Sequence, residues 1–265
     1  MPEISVALLT PFTAAGDVST DAVAMHTEFL LAQGITALMP GGTTGEGMLL
    51  DPAEIVTLVA TVSRVANGRA RILAHVGRAS TRDTVALGRR VVECGAAAVS
   101  AVEPFYYRYA DAEIRDHYRA LLEAVAVPVY AYTIPERTGN SLSCAVVGEL
   151  AALGLRGVKD STKSIARHRE YLGCGVEVLM GSDALVQAAF GLGAAGAVSA
   201  IANIEPRLLL DLASSFGLPA GDDDQARLTA VRERTKRGGS AIAMLKRELA
   251  GLLPGYPTHT RAPLS

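Results

Sequence analysis

The sequence predicts a closed (β/α)8 barrel, or TIM barrel, with a short C-terminal helical extension. Short, nearly continuous apolar runs recur eight times, each is followed by a segment with helical signals, and 265 residues is a normal length for this fold. Such alternation indicates parallel βαβ units, and eight units close a barrel. An open, doubly wound sheet is the alternative, because periodicity alone does not show closure.

The eight apolar runs are the predicted strands. Each is short and apolar enough to be buried on both faces. In chain order they are residues 5–9, 37–40, 71–75, 97–101, 127–132, 157–159, 176–180 and 196–200. Because the active site of a TIM barrel lies at the carboxyl ends of its strands, unusual residues at those ends are the functional candidates.

Helix signals fill the segments between the strands. Residues 51–54 (D-P-A-E) combine an N-cap aspartate with a helix-starting proline and a capping-box glutamate, and Ser143 is predicted to begin another helix. After about residue 203 the pattern is helical to roughly residue 253, interrupted by a polar loop around residues 221–224. The acidic residues of this segment indicate a solvated loop or a helix start rather than a metal site. We expect residues 1–203 to form the barrel core. Residues 204–265 then form the last barrel helix and a helical extension that is not an independent domain.

Composition and charge exclude several classes of protein. The formal net charge is -2 with both signs interspersed, so nucleic acid is not an expected partner. No signal peptide is indicated, and no apolar stretch reaches the ~18 residues of a membrane span. The three cysteines, Cys94, Cys144 and Cys174, stand far apart and suit reduced thiols in the cytoplasm.

The second strand ends in the glycine-rich turn G-G-T-T-G-E-G at residues 41–47. Its glycines, including Gly42, let the backbone bend and present N–H groups to an anion, and Thr43 and Thr44 add hydroxyl donors. No Gly-Lys-Ser/Thr follows, so it is not a Walker loop. An ordinary tight turn is the alternative, and the threonine pair favours a carboxylate-binding nest.

The fourth and fifth strands end in aromatic and charged residues. Four aromatic residues cluster at positions 105–109, although aromatics make up only 5% of the chain. We predict packing roles for Phe105 and Tyr109, whereas a phenol at the barrel mouth could relay a proton. Tyr132 ends the fifth strand as a core residue or a catalytic phenol. Arg137 follows on a loop, either solvated or as a fork for a substrate carboxylate.

Lys159 ends the sixth strand. Lysine is rare in a buried strand unless chemistry requires it, and an amine in the barrel mouth is a usable nucleophile towards a carbonyl. A snorkelling lysine paired with Asp160 is the alternative, and it is the better interpretation of this residue taken alone.

Metal-dependent chemistry is not predicted. A class II aldolase would need a cluster of histidine and acidic ligands, and the histidines show neither ligand spacing nor an H-E-x-x-H motif. His75, at the end of the third strand, is left as an isolated polar group in the mouth.

Taken together, these motifs resemble the dihydrodipicolinate synthase/N-acetylneuraminate lyase family of pyruvate-dependent class I aldolases. The similarity runs from Val6 to about Leu264. It is carried by G-T-T-G-E at 42–46, P-F-Y-Y at 104–107, Y-x-x-P-x-R-T-G at 132–139, G-V-K-D at 157–160 and G-S-D at 181–183.

The resemblance implies roles for the candidate residues. Lys159 would form a Schiff base with pyruvate, a covalent imine that needs no other cofactor, and Tyr132 would move protons during the reaction. Thr43 and Thr44 would hold the pyruvate carboxylate. Thr43 would also join a hydroxyl relay from Tyr132 to Tyr106 of a neighbouring subunit.

Two further residues complete the implied site. Arg137 would receive the carboxylate of an aldehyde partner, and the main-chain carbonyl of Val198 would line the site.

The predicted function is therefore that of a metal-independent aldolase or lyase similar to 4-hydroxy-tetrahydrodipicolinate synthase, which joins pyruvate to an aldehyde such as aspartate semialdehyde. One alternative is cleavage of a 2-keto-3-deoxy sugar acid or sialic acid, which the G-Y-P segment at 255–257 and the Tyr106-Tyr107 pair leave open. The other is a non-catalytic barrel that binds a keto acid.

Departures from the family pattern concern regulation and assembly. Thr133 stands where asparagine is usual. Ala79 and Phe105 replace an asparagine and a tyrosine of the lysine-inhibited synthases, so lysine inhibition is not expected. The chain stops at Ser265, shortly after a segment resembling the family's R-L-P, so we expect the last family helix to be absent. A homodimer is expected if Tyr106 is shared, and a homotetramer is the alternative.

Overall fold

In the computed structural model, which describes residues 1–237 and 239–264, eight parallel strands close into a barrel. The strands pair in chain order, and the first strand also pairs with the eighth. Ser5 of the first strand lies opposite Ala37 on one side and Val198 on the other. This closure confirms the predicted barrel and rejects the open sheet.

Every predicted strand is present, with its ends moved by no more than two residues. The strands are β1 Glu3–Ala7, β2 Ala37–Met39, β3 Arg71–His75, β4 Ala98–Val102, β5 Val129–Thr133, β6 Gly157–Asp160, β7 Glu177–Met180 and β8 Gly196–Ser199.

Helices alternate with the strands and continue after the barrel closes. They are α1 Thr20–Ala32, α2 Pro52–Ala66, α3 Thr81–Glu93, α4 Asp111–Ala124, α5 Pro135–Thr138, α6 Cys144–Ala152, α7 Ile165–Leu172, α8 Val186–Gly191, α9 Pro206–Ser215, α10 Pro219–Thr235 and α11 Ala241–Leu252. Short 3-10 turns occupy Gly47–Leu49, Asp183–Leu185 and Ile201–Asn203. Within the described ranges, no helix is both long and apolar enough to cross a membrane.

Two predicted helix starts are confirmed. Asp51 Oδ1 accepts hydrogen bonds from the Ala53 and Glu54 amides at 2.7 and 2.9 Å, and Glu54 Oε2 accepts one from the Asp51 amide at 2.9 Å. This reciprocal pair is a capping box. Ser143 Oγ accepts from the Val146 amide at 3.2 Å and begins α6.

Of the two interpretations of residues 221–224, the helix start is confirmed and the solvated loop is wrong, because these residues lie in the first turns of α10. Pro219 has the backbone conformation of a first helical residue, and carboxylates such as that of Asp222 are favoured near a helix N-terminus. The helical pattern is interrupted just before α10, at residues 216–218, and again between α10 and α11, after Thr235.

The core has an outer layer, a filled barrel interior and a small cluster at the mouth. The outer layer packs strands against helices. The interior holds seven buried side chains, one from each strand except β6, those of Ala7, Met39, Leu73, Ala98, Tyr130, Leu179 and Val198. The mouth cluster consists of Val102, Tyr132 and Ile134, with Phe105 packed against it. Because the interior is filled, a substrate site is expected at the carboxyl end of the barrel.

Candidate active site

Lys159 and Tyr132 lie side by side at the carboxyl ends of β6 and β5. Strand pairing places them directly opposite each other, and both are buried. Lys159 Nζ is 3.8 Å from the centroid of the Tyr132 ring. A lysine nitrogen over the face of a phenol is held by the ring quadrupole without needing a carboxylate.

Asp160 does not pair with Lys159. Its Oδ1 accepts from the amide and hydroxyl of Thr162 at 2.9 and 2.7 Å, and its Oδ2 lies 3.0 Å from His168 Nδ1. Successive residues of a strand point to opposite sides, so Asp160 faces α7 while Lys159 faces the mouth. The interpretation of Lys159 as a snorkelling lysine paired with Asp160 is therefore wrong.

The glycine-rich turn brings Thr43 to Tyr132. The two hydroxyl oxygens are 3.3 Å apart, and Thr43 and Thr44 are both half-buried. The turn is tightly packed, since a Cβ added at Gly45 would lie 2.6 Å from the Leu8 carbonyl oxygen. A Cβ at Gly47 would collide with the carbonyl of Gly41, which itself has a φ of 75°. The predicted turn around the buried Gly42 is therefore present, and it presents Thr43 to the mouth, whereas Thr44 is not part of the cavity lining.

His75 stands behind Tyr132, with its ring edge-on to the phenol at a centroid distance of 5.8 Å. Its Nε2 accepts a hydrogen bond from the Val102 amide at 3.2 Å, which assigns the ring proton to Nδ1. Burial, and next the positive charge of Lys159, lower the pKa of His75 to about 3. A neutral imidazole therefore backs the phenol, a role that the sequence did not predict.

A cavity of about 520 Å³ opens above these groups. Thr43 and His75 form part of its floor and connect it to Tyr132, while Arg137 on α5 reaches its wall with an exposed side chain. The remaining wall is mostly apolar and includes Met48, Leu49, Val102, Phe105, Ile134, Ile242, Pro263 and Leu264. The cavity therefore offers one cationic group, Arg137, within a largely apolar surround.

Glu103 is a buried carboxyl that sequence reasoning missed. It follows β4 and accepts hydrogen bonds from the Thr133 hydroxyl at 3.1 Å, the Ile134 amide at 3.2 Å and the Thr138 hydroxyl at 3.1 Å. Burial raises its pKa to about 7, which these hydrogen bonds only partly oppose. Glu103 thus holds both ends of the turn that carries Arg137. Thr133, which stands at the position where the family pattern has asparagine, belongs to the same hydrogen-bond network.

Tyr106 is not brought into the site of its own chain. It is 83% exposed, and its backbone has a φ of 80°, a strained conformation for a bulky residue. Its ring packs edge-on against the exposed Tyr107 at 5.0 Å. Phe105 and Tyr109 instead pack against buried apolar residues, as predicted.

Val198 lies on β8 inside the barrel, where its side chain is buried with those of Met39 and Leu179. Among residues 1–237 and 239–264, no group of three or more histidine, cysteine, aspartate or glutamate side chains could hold a metal ion.

Comparisons with known proteins point to one family. The family described as "Dihydrodipicolinate synthetase family" matches residues 1–237. A DapA-like lyase of Halobacterium salinarum is 37% identical over 243 residues, covering 87% of this chain and 78% of that protein. A 4-hydroxy-tetrahydrodipicolinate synthase of Geobacter sulfurreducens is 35% identical over 226 residues, covering 84% and 77%.

Solved structures agree. A dihydrodipicolinate synthase from Aquifex aeolicus has a TM-score of 0.94 at 26% identity, covering 100% of this chain and 92% of that one. The synthase from Acinetobacter baumannii, solved with pyruvate, has a TM-score of 0.86 at 27% identity and the same coverage. A sialic acid aldolase from Ruminococcus gnavus, at 21% identity and a TM-score of 0.93 over 99% of this chain and 90% of its own, shares the fold.

Proposed function

The chain belongs to the dihydrodipicolinate synthetase family of lyases and aldolases, and from that premise we propose that it is a pyruvate-dependent class I aldolase with Lys159 as its nucleophile. The observation that carries the proposal is the buried contact of Lys159 with Tyr132, 3.8 Å from nitrogen to ring centroid. Since Asp160 is occupied by Thr162 and His168, the amine of Lys159 is left available for attack on a carbonyl.

The proposed reaction begins when Lys159 Nζ attacks C2 of pyruvate and water leaves, forming a protonated imine. The imine draws electrons from C3, which loses a proton to give an enamine and then bonds to the carbonyl carbon of an aldehyde. Hydrolysis returns the water and frees the lysine. Because the imine is the electron sink, the proposed mechanism uses neither a metal ion nor another cofactor.

Protons move through Tyr132 in this proposal. Its hydroxyl lies 3.3 Å from that of Thr43, so the pair can pass a proton between the reacting atoms and the cavity. Thr43, Thr44 and the backbone at Gly42 hold the pyruvate carboxylate, and the carbonyl of Val198 lines the site. The pyruvate bound by the Acinetobacter baumannii relative supports this choice of substrate.

Arg137 favours an aldehyde that carries a carboxylate, such as aspartate semialdehyde. It is the arginine of the cavity wall, and a guanidinium binds a carboxylate with two parallel hydrogen bonds. The G-Y-P segment no longer supports a sugar-acid substrate, because Tyr256 is buried against His26 at a ring distance of 5.5 Å. Cleavage of a 2-keto-3-deoxy sugar acid remains the second outcome that an assay can give.

The acceptor is tested with a panel of aldehydes assayed with pyruvate. Arg137→Ala should raise the KM for a carboxylated aldehyde about tenfold to a hundredfold, since one charge-assisted contact is lost, and should leave pyruvate binding unchanged. Arg108→Ala is the matched control, because Arg108 is exposed near Gly139 and is not part of the cavity wall. Equal use of charged and uncharged aldehydes by the wild type, or preferential cleavage of a keto-deoxy sugar acid, would contradict the proposed acceptor.

Assembly and compartment are also proposed. A tyrosine that is 83% exposed and strained at φ 80° suits a residue fixed by a second copy of the chain, so we propose a homodimer in which Tyr106 enters the partner's site, with a homotetramer as the alternative. All three cysteines are free, which suits a reducing compartment such as the cytoplasm.

A further inference from the structure

Glu46 stands out among the residues that the proposed chemistry does not use. It follows the threonine pair by two positions and is buried. Its backbone is left-handed, with a φ of 57°, in a position where glycine would be less strained. A strained non-glycine residue persists only where its surroundings fix it, so the side chain of Glu46 must have contacts that do so.

Those contacts come from the far end of the chain. Glu46 Oε1 accepts a hydrogen bond from Lys246 Nζ of α11 at 2.5 Å, and both side chains are fully buried. Glu46 Oε2 accepts one from the Arg261 amide at 2.8 Å. Lys246 Nζ also donates to the His259 carbonyl at 2.7 Å. One carboxylate therefore joins the threonine turn to α11 and to the segment that follows it.

Two guanidinium groups hold the residues that follow Glu46. Arg261 donates to the Leu49 carbonyl at 3.1 Å and to both carboxylate oxygens of Glu54 at 2.5 and 2.7 Å. Arg78 donates to the Gly47 carbonyl at 3.1 Å. Arg78 and Arg261 thus hold the 3-10 turn, and Lys246 holds Glu46 just before it.

The same turn sets the position of Thr43. The Glu46 amide donates to the Thr43 carbonyl at 3.1 Å, and the Gly47 amide donates to the Gly42 carbonyl at 3.0 Å. A shift of Glu46 would therefore move the Thr43 hydroxyl relative to that of Tyr132. The cavity wall would respond as well, because Pro263 and Leu264 follow Arg261 directly.

We propose that Glu46 is a positioning residue for the reaction, which uses the buried Lys246 and the Arg261 amide to hold Thr43 against Tyr132. A buried ion pair is weak evidence for a gain in stability, because desolvation offsets the attraction between the charges. What such a pair does supply is one defined position for the backbone that carries it. The proposal rests on the proposed pyruvate chemistry and assigns to it a residue whose carboxylate is bonded to Lys246 and to the Arg261 amide.

The test is Glu46→Gln, compared with wild type by borohydride trapping over a range of pyruvate concentrations. Each rate is normalised to folded protein measured by circular dichroism. We expect the half-saturating pyruvate concentration to rise about tenfold, since a displacement of the threonines weakens carboxylate binding. A merely structural role would lower the amount of folded protein and leave this concentration unchanged.

Glu248→Gln is the matched control, since Glu248 also lies on α11 and holds Arg234 of α10 by two hydrogen bonds, at 3.1 and 2.6 Å, outside the cavity wall. It should leave the pyruvate dependence unchanged. If Glu46→Gln does not fold, the double variant Glu46→Gln/Lys246→Gln removes both buried charges together and leaves no ion unpaired. It should show the same rise.

The outcomes separate the two proposals. A wild-type adduct together with an unchanged pyruvate dependence in the variant that folds would overturn the role of Glu46 alone. No adduct in the wild type would overturn the pyruvate chemistry, and the positioning role with it.

Discussion

At the residue scale, the chemistry of the site depends on Tyr132, whose ring and hydroxyl have separate contacts. The ring lies against Lys159 and the edge of His75, whereas the hydroxyl lies 3.3 Å from the Thr43 hydroxyl. The ring therefore belongs to the packing of the mouth, and the hydroxyl is the part that can move a proton. Sequence reasoning offered a core residue and a catalytic phenol as alternatives, and the geometry fits both at once.

Tyr132→Phe separates the two roles. We expect kcat to fall about a hundredfold or more, because the proton relay is lost, while the melting temperature changes little because the ring contacts remain. Steady-state kinetics and thermal unfolding measure the two effects. Tyr130→Phe is the control, since Tyr130 lies two residues earlier on β5 and its hydroxyl donates to Glu177 at 2.6 Å. A similar loss of kcat in both variants would count against the relay.

Sequence reasoning found the residues whose position at a strand end is visible in the pattern. One apolar run ends in Lys159 and another in Tyr132, and the threonine pair follows a third after two glycines. It missed Glu103 because nothing local distinguishes a buried carboxyl from a solvated one. Three donors, at the end of β5 and in the turn after it, make the difference, and only the pairing of β4 with β5 brings them to Glu103.

At the element scale, α5 is the part of the rim most dependent on a single residue. This short helix carries Arg137, and both the Ile134 amide before it and the Thr138 hydroxyl at its end donate to Glu103. Burial raises the pKa of Glu103 from its usual 4.5 to about 7. The folded protein therefore binds a proton that the unfolded chain releases across this range.

Because the pKa of Glu103 is raised in the folded state, the free energy of unfolding falls as the pH rises. The stability from this proton is fully present below pH 4.5 and is lost as the pH rises through about 7. The loss is on the order of 3 kcal/mol in the free energy of unfolding. The Glu103→Gln variant has no carboxyl group to titrate at this position. Its free energy of unfolding should therefore rise relative to that of the wild type as the pH goes from 5 to 8.

Denaturant unfolding at several pH values measures this difference. Glu123→Gln, at a glutamate whose side chain is 72% exposed, should follow the wild-type profile. Parallel profiles for Glu103→Gln and wild type would show that Glu103 does not titrate in this range.

Helix starts were predictable where the signal is local, and one was left ambiguous where it is not. The capping box at Asp51 involves residues within three positions of one another, so it was visible in the sequence. The acidic run at 222–224 resembles a polar loop as well as a helix start. Packing of α10 against α9 and α11, which no short pattern reports, decides between them.

At the scale of the whole molecule, the fold was predictable and the path of the chain after the barrel was not. Eight apolar runs indicated eight strands and favoured a barrel over an open sheet, and the pairing of β1 with β8 shows the closure. The contacts of Lys246 with Glu46 and of Arg261 with Glu54 join residues about 200 positions apart. No periodicity connects residues so distant, so the C-terminal wall of the cavity came only from the structure.

Tyr106 gives the prediction that concerns assembly. If each site takes Tyr106 from a partner, coexpressed Lys159→Ala and Tyr106→Phe chains should form mixed dimers with one intact site. We expect about a quarter of wild-type activity from an equal mixture, although each variant alone is nearly inactive. Activity of the mixture equal to the average of the separate variants would mean that Tyr106 acts within its own chain or not at all.

Borohydride reduction in the presence of pyruvate, followed by peptide mass mapping, shows whether Lys159 is the Schiff-base nucleophile. We expect one stable adduct, located on Lys159, and none in Lys159→Ala. Two other lysines serve as internal controls: the exposed Lys163, which pairs with Glu136, and the buried Lys246, which pairs with Glu46. An adduct on either of these, or no adduct on the wild-type chain, would contradict the account.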